Sequence, residues 1–185
     1  MKRILITGGC GFIGRHVAQE LIEHDYSVRV IDALLDQVHE GGAVSLPSGC
    51  ELIKGDVRDR DAIANALDNI DAVIHLAAEV GVGQSMYEIA RYLGTNDLGT
   101  ATLLETLIKH PVERIVVASS MSVYGEGLYA TPDGRRVDNA RRRISDIRNG
   151  RWNPLSSEGE PLSPLPTDEE KPVDLASIYA LTKFA

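Results

Sequence analysis

Tyr179 and Lys183 stand four apart near the end of the chain, a spacing that can do proton chemistry. On a helix the two project from one face, and an ammonium beside a phenol stabilises the phenolate. That makes Tyr179 a candidate general base near neutral pH. A second candidate lies in Ser119-Ser120-Met121-Ser122-Val123-Tyr124-Gly125, where the Ser120 hydroxyl can hydrogen-bond a substrate alcohol as it becomes a ketone. Neither signal is specific alone. A YxxxK pair arises by chance in a chain with 6 tyrosines, and a serine run is also an ordinary turn.

A third group binds rather than reacts. Thr7-Gly8-Gly9-Cys10-Gly11-Phe12-Ile13-Gly14 is a glycine loop of GxxGxxG spacing between an apolar run and a helical pattern. Gly8 permits a tight turn, Gly11 lets backbone approach a pyrophosphate, and Gly14 lets helix and strand pack closely. Phosphates then sit on the helix N-terminus, where free N–H groups and the helix dipole favour negative charge. Asp32 ends the next apolar run, where an acid bonds the ribose hydroxyls of an adenosine. Its charge would repel a 2′-phosphate, so the expected cofactor is NAD rather than NADP.

Five apolar runs position these groups: Arg3–Thr7, Ser27–Asp32, Glu51–Lys54, 72–76 and 114–118. Each reads as a buried parallel strand, apolar on both faces. Helical patterns occupy 13–23, 59–67 and 87–110, the last with Pro111 just beyond it. Strands alternating with helices in this way predict an α/β fold, a doubly wound parallel sheet. The glycine loop and the serine run then both fall at the carboxyl edge of the sheet, where such folds bind ligands.

Composition changes at Gly125. Residues 126–172 are rich in Pro, Gly, Ser, Arg and Glu, with scattered apolar anchors at Leu128, Tyr129, Ile144, Ile147 and Trp152. A loop this long is expected to be functional or partly disordered. Helical character returns at 175–185 and is cut in mid-pattern, so a C-terminal substrate-binding part is expected to be absent.

The 185 residues are enough for one domain. With 43% hydrophobic and 25% charged residues and a net charge of −8, no nucleic-acid or membrane partner is expected. Cys10 and Cys50 show no metal or disulfide spacing, and the apolar stretch near Met1 is too short for a signal peptide. A cytoplasmic location follows as the expectation.

Taken in order, these motifs resemble the extended short-chain dehydrogenase/reductase family of sugar-nucleotide epimerases and dehydratases. The resemblance also includes Gly55-Asp56-Val57-Arg58-Asp59, His75-Leu76-Ala77-Ala78 and Asn96-Asp97-Leu98-Gly99-Thr100, and covers the chain outside the insert. It implies a Rossmann-type NAD-binding domain over 1–185. By position, Phe12 and Ile13 lie by the pyrophosphate, Asp32 holds the ribose, and Asp56 and Val57 contact adenine. Leu76, Ala77 and Ala78 line the nicotinamide side, and Thr95 touches the cofactor. Ser120, Tyr179 and Lys183 match the catalytic serine, tyrosine and lysine, Lys183 also holding the nicotinamide ribose.

Residues 78–89 and the insert segments 150–154 and 164–167 resemble the branch containing dTDP-L-rhamnose 4-epimerases. The resemblance implies 4-epimerisation of a nucleotide sugar, with a dTDP-sugar favoured, and a homodimer packed through 87–110 and the helix near Tyr179. The alternatives are a reductase, decarboxylase or dehydratase of the same family, or a non-catalytic NAD-binding fragment. Dehydratases usually carry an Asp-Glu pair where Met121 and Ser122 stand here. Relatives in this branch often have cysteine pairs in the insert; this chain has none there, so no metal is expected.

Several residues have plainer readings. A run such as Arg141-Arg142-Arg143 is usually a solvated face, though it could reach a diphosphate. Trp152 would fold the insert onto the sheet. His75 reads as a satisfied core histidine, Cys10 as a small residue that fits the loop, and Asn96 as a bonded support of the fold.

Overall fold

The computed structural model describes residues 1–39 and 46–185. Its central feature is a five-stranded parallel sheet in the order β3-β2-β1-β4-β5, formed by β1 (Arg3–Thr7), β2 (Ser27–Asp32), β3 (Glu51–Lys54), β4 (Ala72–His75) and β5 (Arg114–Val117). Pairing is in register from Arg3 opposite Ser27 to Thr7 opposite His75. The helices are α1 (Phe12–Glu23), α2 (Asp36–His39), α3 (Arg60–Ala66), α4 (Val82–Ser85), α5 (Ile89–Tyr92) and α6 (Gly99–Leu107).

Alternation along the inner strands builds two cores. Leu5, Ile31 and Val73 point to one face, where they meet Ile63 and Ala66 of α3 and Leu103 of α6. Ile6, Val28 and Val30 point to the other and meet Ala18 of α1. All these side chains are at least 97% buried, and they hold the strand ends in fixed register. Asp59 opens α3 by accepting the Asp61 and Ala62 N–H groups. The edge strands depart from the expected two-faced burial: Leu52 of β3 is 42% exposed, and Val116 and Val117 of β5 are each 52% exposed.

The pattern at 87–110 is not one helix. Between α5 and α6 the backbone widens into a π turn, Leu93–Leu98, that carries Thr95 and buried Asn96. Such widened turns re-aim side chains, often at functional sites.

The insert is not loop throughout, as its composition suggested, but carries short elements of its own. β6 (Leu128–Ala130), β7 (Arg136–Val137) and β8 (Ser163–Leu165) form an antiparallel sheet in the order β7-β6-β8, beside α7 (Ile144–Arg148). Tyr129, Ala140 and Leu162 make its small core. Trp152 does not fold it down, being 62% exposed, and Ile144 is likewise exposed. The chain then enters α8 (Ile178–Phe184), capped by the Ser177 hydroxyl on the Ala180 N–H. Among the described residues no helix is long and apolar enough to cross a membrane.

Candidate functional site

A cleft of about 430 Å³ opens at the carboxyl ends of the parallel strands. Gly8, Gly11, Phe12, Ile13 and Gly14 line one wall, and Asp32, Asp56 and Val57 line its far end. Leu76, Ala77 and Ala78 form the floor after β4, and Tyr179 and Lys183 close it from α8. The structure thus gathers these residues, drawn from four loops and a distant helix, around one space.

Each glycine has its own reason. Gly8 sits at φ +68°, and a Cβ there would lie 2.7 Å from the Ala77 backbone. At Gly14 a Cβ would lie 2.5 Å from Gly9 Cα, so α1 packs on the loop only because that atom is missing. Gly11 differs: its φ is an ordinary −69°, and a Cβ would meet protein only at 3.4 Å, on the Gly8 carbonyl. Its bare backbone instead opens the space before the α1 N-terminus, which has no side-chain cap and no acid in its first turn. Phe12 and Ile13 are exposed there, with Arg15 set against the Phe12 ring.

Asp32 is held in place by backbone donors: the Cys10 N–H at 3.0 Å and the Leu34 N–H at 2.9 Å. Burial first, then the neighbouring Asp32, push the Cys10 thiol up to about 12, so it fills space as a neutral group. Asp56 is gripped by Arg58 through Nε at 2.9 Å and Nη2 at 2.6 Å, which holds its carboxyl below the usual range. Next to Val38, which lines the cleft, Gln37 of α2 donates to Gln84 Oε1 at 3.1 Å and accepts from Arg91 Nη2 at 2.9 Å.

At the α8 end of the cleft, burial lowers the Lys183 pKa, and its Nζ donates to the Ala118 carbonyl at 3.0 Å. The Tyr179 N–H is bonded to the Ser85 hydroxyl at 3.0 Å, which ties α8 to α4. Ser120 and Thr95 do not line the cleft. The Ser120 Oγ accepts from the Ser122 N–H at 3.1 Å, starting the 3₁₀ turn Met121–Tyr124. Its neighbour Ser119 is the one on the wall, donating to the Lys183 carbonyl at 2.8 Å. Ser119, Val80, Leu35 and Val38 were not singled out from the sequence; only adjacency to the motifs could have marked them.

A buried polar chain supports this end. The Ala77 N–H donates to Thr7 Oγ1 at 3.1 Å, and Thr7 Oγ1 lies 2.6 Å from His75 Nδ1. His75 Nε2 lies 3.0 Å from Thr100 Oγ1, which donates to the Asn96 carbonyl. Asn96 accepts from the Glu79 N–H at 2.7 Å and donates to Thr182 Oγ1 at 2.9 Å, and Thr182 donates to the Tyr179 carbonyl at 2.9 Å.

A larger hollow of about 650 Å³ lies in the insert, edged by Arg135, Arg136, Arg141 and Arg143. Three of these guanidiniums are already paired with carboxylates, and its lining holds no tyrosine or lysine for proton transfer.

Residues 4–143 match the NAD dependent epimerase/dehydratase family. A dTDP-L-rhamnose 4-epimerase of Burkholderia thailandensis is 35% identical over 195 aligned positions, covering 100% of this chain and 51% of that protein. A UDP-glucose 4-epimerase of Neisseria meningitidis serogroup C is 33% identical over 83% of this chain and 51% of its own length. Among solved structures, the UDP-glucose 4-epimerase of Thermotoga maritima with UDP-glucose is 28% identical with a TM-score of 0.71, covering 98% of this chain and 48% of that one. The Thermus thermophilus UDP-glucose 4-epimerase complex with NAD is 26% identical with a TM-score of 0.68, covering 98% and 47%. The chain therefore spans about half the length of the relatives it matches. A dinucleotide-type glycine loop, Asp32 and the Tyr179–Lys183 pair around one cleft, on a sheet that superposes on these enzymes, make this chain a member of the NAD dependent epimerase/dehydratase family.

Proposed function

We propose that this chain is the NAD-binding part of an epimerase acting at C4 of a nucleotide-activated sugar through a transient 4-keto sugar. The observation that carries this is the single cleft joining an anion-ready helix N-terminus to the Tyr179 and Lys183 side chains. The B. thailandensis relative favours a dTDP-L-rhamnose-like substrate.

The residues present fit NAD. The space bared by Gly11 before α1 suits the pyrophosphate, Asp32 the adenosine ribose, Asp56 and Val57 the adenine, and Lys183 the nicotinamide ribose. When bound, NAD supplies hydride acceptance and return at C4. Tyr179 takes the proton of the 4-hydroxyl as the carbonyl forms and returns it when the alcohol is restored. Lys183 stabilises the phenolate, and Ser120, with Ser119 beside it, supplies a hydroxyl to the substrate oxygen. Met121 and Ser122 offer no acid–base pair for eliminating water, which favours epimerisation over dehydration. A cytoplasmic homodimer, packed through α6 and α8, completes the reading; Leu104, Ile108 and Leu181 are exposed in this region.

Proton NMR in D₂O, with the chain, NAD⁺ and dTDP-L-rhamnose, tests it. The expected result is a C4 epimer with no deuterium gained at carbon, because hydride returns internally. Deuterium incorporation at carbon, or NADH accumulating in step with substrate loss, would refute the mechanism. No reaction with NAD bound would favour the binding-fragment alternative, which the half-length coverage of the relatives motivates.

A further inference from the structure

The arginine triplet at 141–143 is solvent-exposed, as a charge run is expected to be, but two of its members are paired with carboxylates of the domain. Arg141 holds Asp174 with both terminal nitrogens, Nη2 donating to Oδ1 at 2.8 Å and Nη1 to Oδ2. Arg142 Nε pairs with Glu126 Oε1 at 2.8 Å, an oxygen that also accepts from the Tyr129 hydroxyl at 3.0 Å. Tyr129 is buried in the core of the insert. Glu126 stands two residues after the Met121–Tyr124 turn, and Asp174 stands three residues before the cap of α8. The insert is thus fastened at the two points where it leaves and rejoins the domain.

Asp174 is the pivot between them. Its N–H donates to the Val123 carbonyl at 2.7 Å, inside the 3₁₀ turn. A Cβ on Gly125 would lie 2.6 Å from Asp174 Oδ2 and 2.8 Å from its carbonyl, so only a glycine, here at φ +64°, lets the two segments pass. The Asp174 side chain is only 24% exposed, so its carboxylate depends on protein donors, and a bidentate guanidinium fixes its direction as well as its charge. From Asp174 the chain runs directly to Ser177, Tyr179 and the Ser85 anchor.

We propose that Arg141 and Asp174 are positioning residues, through which the insert holds the 120–124 turn against the first turn of α8 and so sets the Ser120–Tyr179 geometry. This rests on the reading of Ser120 and Tyr179 as the reacting hydroxyls. Neither Arg141 nor Asp174 touches substrate; they act because a misplacement of about 1 Å between such groups costs on the order of a hundredfold in rate.

The test compares Arg141→Met, Arg141→Lys, Asp174→Asn and the Met/Asn double variant, all loaded with NAD. Two readouts are taken: amide exchange at Asp174 and Ala180 with Leu5 as the sheet reference, and kcat and KM with dTDP-L-rhamnose. Arg141→Met is expected to speed exchange at Asp174 and Ala180 about tenfold and to lower kcat about tenfold, with KM within about twofold. Exchange at Leu5 stays unchanged, Arg141→Lys recovers most of the loss, and the double variant is no worse than Asp174→Asn. Unchanged exchange at both amides, an unchanged kcat, or a rise in KM alone overturns the proposal. If the unsubstituted chain does not turn over, the epimerase reading fails and the exchange data alone decide the clamp.

Discussion

Acid should unlock this domain through His75. The imidazole ends β4 at 4% exposure, and burial, followed by the charge of Lys183, pulls its pKa from 6.5 to about 4. Its bonds favour the same neutral form. Thr100 gives its hydroxyl proton to the Asn96 carbonyl, so His75 Nε2 must be the donor to Thr100. Thr7 already accepts from the Ala77 N–H and gives its proton to Nδ1. A second ring proton would have no acceptor without turning Thr7 around. Because the folded pKa is depressed, the unfolded chain binds the extra proton first, and stability falls as pH drops from about 6.5 toward about 4. With those two values, the loss between about pH 7 and about pH 5 is about 2 kcal/mol. Urea unfolding of the protein and of His75→Asn at both pH values checks this, since other titrations cancel in the difference. The stability gap between the two proteins should narrow by about 2 kcal/mol at the lower pH. A gap that stays constant, or an imidazole NMR signal titrating near 6.5, would show that the burial argument is wrong.

Other outcomes follow from the same geometry. Gly11→Ala should weaken NAD binding at least about tenfold by calorimetry while leaving thermal stability unchanged, because its Cβ meets protein only at 3.4 Å. Gly14→Ala should do the reverse first, lowering stability by about 1–3 kcal/mol, since backbone atoms at 2.5–2.7 Å cannot yield cheaply. Tyr179→Phe should abolish turnover and leave NAD affinity within about twofold, read by NMR rate and calorimetry on one sample. Gln37→Ala removes the bridge from α2 to Gln84 and Arg91, so stopped-flow should show NAD leaving several-fold faster, roughly the cost of two exposed hydrogen bonds.

The sheet was legible because each strand carries its own signal. Arg3–Thr7, Ser27–Asp32 and Glu51–Lys54 end where the apolar runs end, and the other two strands stop one residue short of theirs. The glycine-loop end was legible for a similar reason: the residues from Arg3 to Asp32 form one strand–helix–strand unit whose spacing is fixed locally. The break at 93–98 was not. Nothing in the helical periodicity reports that Asn96 will be drawn to Glu79 and Thr182, contacts 17 and 86 residues away. The insert was least legible. Its strands are two or three residues long, too short for a period, and it is held by ion pairs such as Arg136–Asp168 and Arg142–Glu126. Composition shows that such charges exist, and only the fold chooses their partners.

This difference in origin has a functional consequence. On the proposed reading, the pyrophosphate end of the cleft rests mainly on contacts within the β1-α1-β2 unit, with Ala77 packed against Gly8 from just outside it. The hydroxyl end depends on Tyr179, whose helix is placed by Ser85, by Thr182 through Asn96, and by the Asp174 junction, all long-range contacts. The lengths of chain enclosed by those contacts make this end costlier to order and the first to open locally. On the function proposed above, NAD binding and proton transfer should therefore be largely separable. Changes in the insert or along the polar chain should cost rate before they cost cofactor, whereas changes in the glycine loop cost both.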